Sequence, residues 1–242
     1  MASGRPSLRL AFDTLSSKQA YVRRLFAIIA PRYDLITVLL SFGRDRRWKH
    51  RLISMAALSP GTRVLDVACG TGDLAFQAAS CGARVTGLDV TVPMLDLARR
   101  KISSQDARPT FVAGDMGALP FADGSFSVVT TGYGLRNVTE LGPALAEACR
   151  VLTPGGVLLS LDFNRPPNRA VRAVYLAYLT LVGSLLGMVL HRDPDTYRYI
   201  PASIRRYPGA QAVCDLARQA GFSACTWRPV LGGLLAIHAA RK

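Results

Sequence analysis

Histidine and acid are what this chain has least of: three histidines (His50, His191, His238) and 16 acidic residues against 30 Lys/Arg in 242 residues. No two histidines stand at metal-ligand spacing, and the five cysteines (Cys69, Cys81, Cys149, Cys214, Cys225) include no Cys-x-x-Cys pair. Neither a bound metal nor a disulfide framework is expected, and scattered thiols in odd number fit a reducing cytosol. The first residues lack the apolar run of a secretory signal, so secretion is not expected. No G-x-S-x-G elbow and no Walker sequence occurs, which removes two common nucleophile and phosphate-loop signatures.

What is present is unevenly spread. Residues 1–60 carry 11 Lys/Arg against 3 acids, residues 61–163 carry 8 against 10, and residues 164–242 carry 11 against 3. A slightly acidic centre with two basic flanks is the footprint of anionic lipid or nucleic acid, or simply of a solvated basic surface.

The centre is organised around residues 64–74, Val-Leu-Asp-Val-Ala-Cys-Gly-Thr-Gly-Asp-Leu. Aliphatic and β-branched residues to Val67 read as a buried strand, and Leu74, Ala75, Ala78 and Ala79 resume at helical spacing. Gly70 and Gly72 therefore expose backbone to a ligand at a helix start. Gly70-x-Gly72-x-x-Ala75 also fits a dinucleotide fingerprint. Asp66, at the carboxyl end of the strand, separates the readings: a pyrophosphate has no use for a carboxylate, whereas S-adenosylmethionine carries an ammonium and a sulfonium.

Further strands are expected at residues 84–88, 111–113, 126–131 and 157–163, the last entered by a tight turn at 153–156, with helices between them. A closing antiparallel pair is expected at 225–227 and 234–239. The pattern predicts an α/β fold, a doubly wound and mostly parallel seven-stranded sheet with ligands at the carboxyl strand ends. Asp66, Asp89, Asp115 and Asp162 all fall on that rim. Asp89 is placed to accept ribose hydroxyls, and Asp115 with Met116 to meet the adenine. We expect a flexible tail over 1–15 and one domain over 16–242. That domain divides into a helical cap (16–60), a core (61–163), an apolar helical insertion (about 168–206) and a closing helix and strands (208–242).

Residues 173–190 carry no charge and contain Gly183-x-x-x-Gly187, a span-like pattern. Their place between the fifth strand and the closing pair is awkward for a crossing, so the segment reads as a lid or wall. Trp48, among basic residues, reads as capping the core rather than anchoring in an interface.

Beyond the glycine motif, the chain resembles the UbiE/MenG family of ubiquinone and menaquinone biosynthesis C-methyltransferases, class I S-adenosylmethionine enzymes. The match is carried by Arg32-Tyr33-Asp34, Ser41-Phe42-Gly43, Arg46 and Trp48-Lys49, then by residues 65–73, 118–121 and Gly134-Leu135-Arg136-Asn137-Val138. Residues 195–200, Ser203-Ile204-Arg205, Pro208 and Ala220-Gly221-Phe222 continue it. The resemblance implies cofactor contacts at Thr71, Asp89, Asp115, Met116 and Gly132, beside Asp66, Gly70 and Gly72, and a catalytic cluster near Asp73, Arg136 and Asn137. Thr37, Asp45 and Asp162 stand where the family commonly has Asn, His and Glu.

For such chemistry a quinol ring carbon becomes nucleophilic when its neighbouring hydroxyl, titrating near ~10, ionises. We expect Arg136 and Asn137 to hold that hydroxyl or phenolate and Asp73 to orient them, with Tyr33 or Tyr199 against the ring; a purely structural pairing of Arg136 with Asp73 or Glu140 is the alternative. The expected partners are a lipophilic quinol and an anionic membrane surface, held peripherally from the cytoplasmic side. Nucleic acid is not expected, and homo-oligomerisation is left open. Methylation of a soluble aromatic metabolite, or RNA binding on a methyltransferase scaffold, are the other readings.

Overall fold

A computed structural model describes residues 8, 10–41, 43–102 and 108–242. Phe42 of the expected motif and residues 1–7 and 9 of the expected tail lie outside the described residues. The rest of that tail is not loose. Leu10–Phe12 forms a 3₁₀ turn, Ala11 is buried, and the Phe12 ring stacks on Tyr199 with centroids 5.8 Å apart.

Three helices precede the sheet: α1 (Leu15–Ile29), α2 (Tyr33–Leu40) and α3 (Asp45–Met55). Thr14 starts α1 with a capping box, its Oγ1 accepting from the Ser17 amide while Ser17 Oγ accepts from the Thr14 amide. The alternating part follows as β1 (Arg63–Val67), α4 (Asp73–Ser80), β2 (Arg84–Asp89), α5 (Val92–Ile102), β3 (Thr110–Ala113), β4 (Phe126–Gly132), α6 (Leu141–Val151) and β5 (Leu152–Phe163). Then come α7 (Arg169–His191), α8 (Asp195–Arg206), α9 (Ala210–Gln219), β6 (Ala224–Val230) and β7 (Leu235–Arg241).

The strands form one sheet in the order β3-β2-β1-β4-β5-β7-β6. β1 to β5 run parallel, and β7 lies antiparallel between β5 and β6. Neighbouring residues of one strand serve opposite faces: Leu65 packs with α6 and α9 residues, and Val64 with α3 and α4 residues. Chain order reverses between β1 and β4, so the crevice for a ligand opens at their carboxyl ends.

One element departs from expectation and one matches the expected lid or wall. Leu152 already pairs with Phe126, so residues 153–156 bulge out within β5 rather than turning into it. Residues 169–191 form one helix, and its two glycines serve α8 rather than a second span. A Cβ at Gly183 would stand 3.3 Å from Tyr197 Cβ, and one at Gly187 would stand 3.2 Å from Pro194 Cα.

Candidate active site

The crevice is built on strained strand ends. Ala68 directly follows β1 and Tyr133 directly follows β4, and both are left-handed (φ 52° and 60°). Such non-glycine conformations cost about 1–3 kcal/mol and persist where the surroundings over-determine them. Between β1 and α4 the backbone turns through Gly70 (φ 54°) and Gly72 (φ 87°). At Gly72 a Cβ would also meet Phe111 Cζ at 2.9 Å, so only glycine fits.

Carboxylates brace this turn. Asp89 Oδ2 accepts from the Gly70 amide and Oδ1 from the Thr91 amide, each at 2.8 Å. Burial raises the Asp89 carboxyl, and the backbone donors oppose that rise. Asp66 is 1% exposed; Thr130 Oγ1 donates to its Oδ1 at 2.8 Å, while Oδ2 has no partner. Burial pushes this carboxyl up to about 7 despite the Thr130 bond. Thr71 Oγ1 donates to Asp34 of α2 at 2.6 Å.

A cleft of about 90 Å³ runs along these ends, lined by Gly70, Asp89, Asp115, Met116, Gly132 and Gly134. Helix α1 roofs it. Gln19 Nε2 donates to Asp115 Oδ2 at 2.6 Å, and Lys18 Nζ donates to the Val138 carbonyl. A narrower recess behind Tyr33 holds Asp66, Gly70, Thr71 and Asp73 with Lys49. The sequence candidates for cofactor binding are thus divided between two connected spaces sharing Gly70, Gly132 and Tyr33. These residues fit S-adenosylmethionine: a buried orphan carboxylate oxygen suits an ammonium, and the bare glycine turn admits close approach.

Beyond Tyr33 lies a cavity of about 720 Å³. Its walls come from α1 and α2 (Leu25, Phe26, Ile29, Ile36), from α7 (Val174, Tyr175, Leu179), from α8 (Tyr197, Tyr199, Ile200) and from the turn before β7 (Leu231, Leu234). Phe26, Tyr33, Tyr133 and Asn137 line both this cavity and the cofactor-side cleft. Trp48 is buried on its wall, capping the core.

Arg136 is the one charged side chain among the described residues lining the cavity. Its backbone amide donates to Asp162 Oδ2 at 3.0 Å, its Nε lies 3.4 Å from Asp162 Oδ1, and its Nη1 donates to Ser203 Oγ. The guanidinium also lies 5.1 Å from the Phe163 ring centroid and 5.9 Å from that of Tyr199. Asn137 Nδ2 donates to the Tyr133 carbonyl at 2.8 Å, and its Oδ1 is buried without a partner.

Asp73 is not in this network. Its carboxylate meets Lys49 Nζ at 2.9 Å and Lys101 Nζ at 3.4 Å, and the lysines hold it below the usual carboxylate range although burial opposes them. The expected Asp73–Arg136 pairing, and the alternative with Glu140, both give way to Asp162. The reason is geometric: Asp73 opens α4 on the cofactor side, whereas Asp162 ends the strand beside Arg136. Sequence reasoning also missed the Lys49 cluster. Lys49 Nζ lies 2.6 Å from Asp45 Oδ2, and the Tyr133 hydroxyl donates to Asp45 Oδ1 at 2.7 Å. Asp45, a departure from the family pattern, was the available signal. Ser203 carried none beyond its motif. Among the described residues no group of His, Cys, Asp and Glu could hold a metal ion.

A model of the ubiE/COQ5 methyltransferase family matches residues 14–242. The demethylmenaquinone methyltransferase of Thermus thermophilus is 42% identical over 216 residues, covering 88% of this chain and 98% of that protein. The ubiquinone/menaquinone biosynthesis C-methyltransferase UbiE of Paracoccus denitrificans is 40% identical over 237 residues, 96% of this chain and 95% of that one. A solved structure of Haemonchus contortus phosphoethanolamine N-methyltransferase 2 with S-adenosyl-L-methionine shares the fold, with TM-score 0.60 at 18% identity over 81% of this chain and 52% of that one. With a family match that begins one residue before α1 and runs to the last residue, and with these levels of identity, the chain belongs to the ubiE/COQ5 methyltransferase family.

Proposed function

We propose that the protein transfers a methyl group from S-adenosylmethionine to a ring carbon of a prenylated quinol, a demethylated precursor of menaquinone or ubiquinone. The observation that carries this reading is the apolar cavity of about 720 Å³, whose only charged lining group among the described residues is Arg136 and which meets the cofactor cleft across Tyr33, Tyr133 and Asn137. A long isoprenoid tail suits its aliphatic and aromatic walls.

S-adenosylmethionine, when bound, supplies an electrophilic methyl on a sulfonium. Asp66 and the Gly70–Gly72 backbone would hold its ammonium end, Thr71 would contact it beside them, Asp89 would take the ribose, Asp115 and Met116 the adenine, and Gly132 the floor between. On the substrate side, Asn137 Oδ1 is an acceptor for the quinol hydroxyl. Arg136 stays protonated in a protein and favours the phenolate over the phenol in an apolar wall. No carboxylate or imidazole lines the cavity among the described residues, so the hydroxyl proton leaves to water rather than to a protein base. After methyl transfer, with S-adenosylhomocysteine as the other product, the methylated ring carbon loses its own hydrogen to water as the ring oxygen is reprotonated. Asp162 and Ser203 orient Arg136, while Tyr33 and Tyr199 flank the ring. Asp73 acts on the cofactor side through Lys49. The protein works peripherally at the cytoplasmic surface of a membrane, where its substrate resides.

The test is transfer of labelled methyl to chemically reduced demethylmenaquinol and to a demethylated benzoquinol in detergent, with the product ring identified. Carbon-methylated product on either ring supports the reading. Transfer to neither, with cofactor binding intact, contradicts it.

A further inference from the structure

Helix α7 has two unlike faces. The inner one, with Tyr175, Leu176, Leu179, Gly183 and Gly187 buried, packs on α8. The outer one leaves Val174, Leu181, Leu185, Met188 and Val189 between 51% and 74% exposed. Positions 174, 181, 185 and 188 recur at helical spacing on one stripe, about 21 Å long at 1.5 Å per residue. Across the cavity, α2 leaves Leu35, Val38 and Leu39 about half exposed on one face. Arg32 Nη1, at the start of α2, donates to the Leu190 carbonyl at the end of α7 at 2.6 Å, so the two helices flank one opening. Val171 and Val174 are exposed and also line the cavity. The cavity therefore opens beside this apolar surface.

Charge around that surface is predominantly basic. Residues 164–195 contain Arg165, Arg169, Arg172 and Arg192 against two acids, Asp193 and Asp195, both in the turn into α8, where Asp195 pairs with Arg198. Residues 32–47 contain four arginines and two acids, Asp34, which pairs with Lys101, and Asp45, which is buried against Lys49. An apolar stripe this large is unusual on a soluble protein, and a cationic rim selects an anionic interface. By length and composition α7 could cross a membrane, but its inner face is committed to α8.

We propose that the outer face of α7, with the exposed side of α2, lies flat on an anionic bilayer and opens the cavity mouth into the acyl-chain region. This rests on the quinol reading above and deepens it by naming the surface and the route: substrate enters from lipid without crossing water.

The test compares Leu181→Glu/Leu185→Glu and Leu181→Ser/Leu185→Ser with the parent, on vesicles of phosphatidylglycerol and phosphatidylcholine and on phosphatidylcholine alone. Melting temperature and cofactor affinity check that both variants are folded. The expected result is that the parent prefers the anionic vesicles and that both variants lose at least about tenfold in partition. Methylation of vesicle-borne quinol falls with it, while transfer to a short-tailed quinol in solution is unchanged. Vesicle binding equal to the parent in both variants overturns the proposal. So does loss of a dimer with vesicle binding intact, which would assign the face to a second copy of this chain. If the parent methylates neither the vesicle-borne nor the short-tailed quinol with cofactor binding intact, the functional reading fails, and the partition data still decide the docking.

Discussion

Asp66 shares a recess with the glycine turn, its Oδ2 buried without a hydrogen bond, and burial pushes its carboxyl up to about 7 against the opposing Thr130 hydroxyl and Ala75 amide. A folded-state value raised above the unfolded one near 3.8 contributes stability at acid pH that is lost as pH rises through about 7. Cofactor-free Asp66→Asn should therefore melt a few degrees above the parent at pH 8, with the difference shrinking as pH falls below about 7 and vanishing only below the unfolded value near 3.8. The same variant should lose about ten- to a hundredfold in cofactor affinity, since an ammonium gains most from an ionised partner. Calorimetry and melting curves across pH check both, and a variant that melts below the parent at pH 8 would contradict the burial argument. At Arg136, replacement by lysine removes the planar fork held between Asp162 and Ser203. Arg136→Lys should lower kcat by about 10²-fold, the usual cost of one charge-stabilising donor, with cofactor affinity unchanged; full turnover would contradict the assignment.

Helix α1 roofs a cleft of about 90 Å³, well below the roughly 300–1,000 Å³ of ligand pockets. Gln19 also occupies the Asp115 oxygen that an adenine amino group would take. Opening of α1 should thus precede binding, and Gln19→Ala should speed cofactor association in stopped-flow with little effect on melting. An unchanged or slower rate would contradict the roof. At the other helical pair, Gly187→Ala gains about 1 kcal/mol of helix propensity. It drives a methyl into the Asp193 backbone carbonyl oxygen and against the Pro194 backbone, so a net loss of about 1–3 kcal/mol is expected, read as a lower melting temperature. These elements also mark how far the sequence could be read. β1, β2 and β4 were legible because aliphatic and β-branched runs with an Asp or Gly at or next to the carboxyl end follow from burial in a parallel sheet. α8 was legible only as part of an insertion, since Pro201 inside it reads as a breaker and tertiary packing overrides that local rule. Gly183-x-x-x-Gly187 looked like a span motif because close helix packing needs small residues in water and in lipid alike. The Arg136 partners Asp162 and Ser203 lie 26 and 67 residues away, and no local spacing encodes a contact at that range.

The molecule joins a slightly acidic sheet core to two basic flanks with a formal net charge of +14. If those flanks meet anionic lipid, vesicle binding should weaken steeply as salt rises and the Debye length shrinks from about 10 Å at 0.1 M to about 3 Å at 1 M; binding indifferent to salt would contradict that role. The glycine turn with Asp66 and Asp89, and the apolar cavity with Arg136, face one another across Tyr33 and Tyr133. On the proposed reading the methyl donor and the activated ring would meet where these two spaces adjoin, and that reading stands on the guanidinium making the ring hydroxyl ionise there. The most direct measurement is the ionisation of a prenylated naphthol bound in the cavity, followed by fluorescence across pH in the parent and in Arg136→Lys without cofactor. The account predicts a midpoint clearly below the free phenol's value near ~10 in the parent and a return toward it in the variant. The same midpoint in both proteins would contradict it.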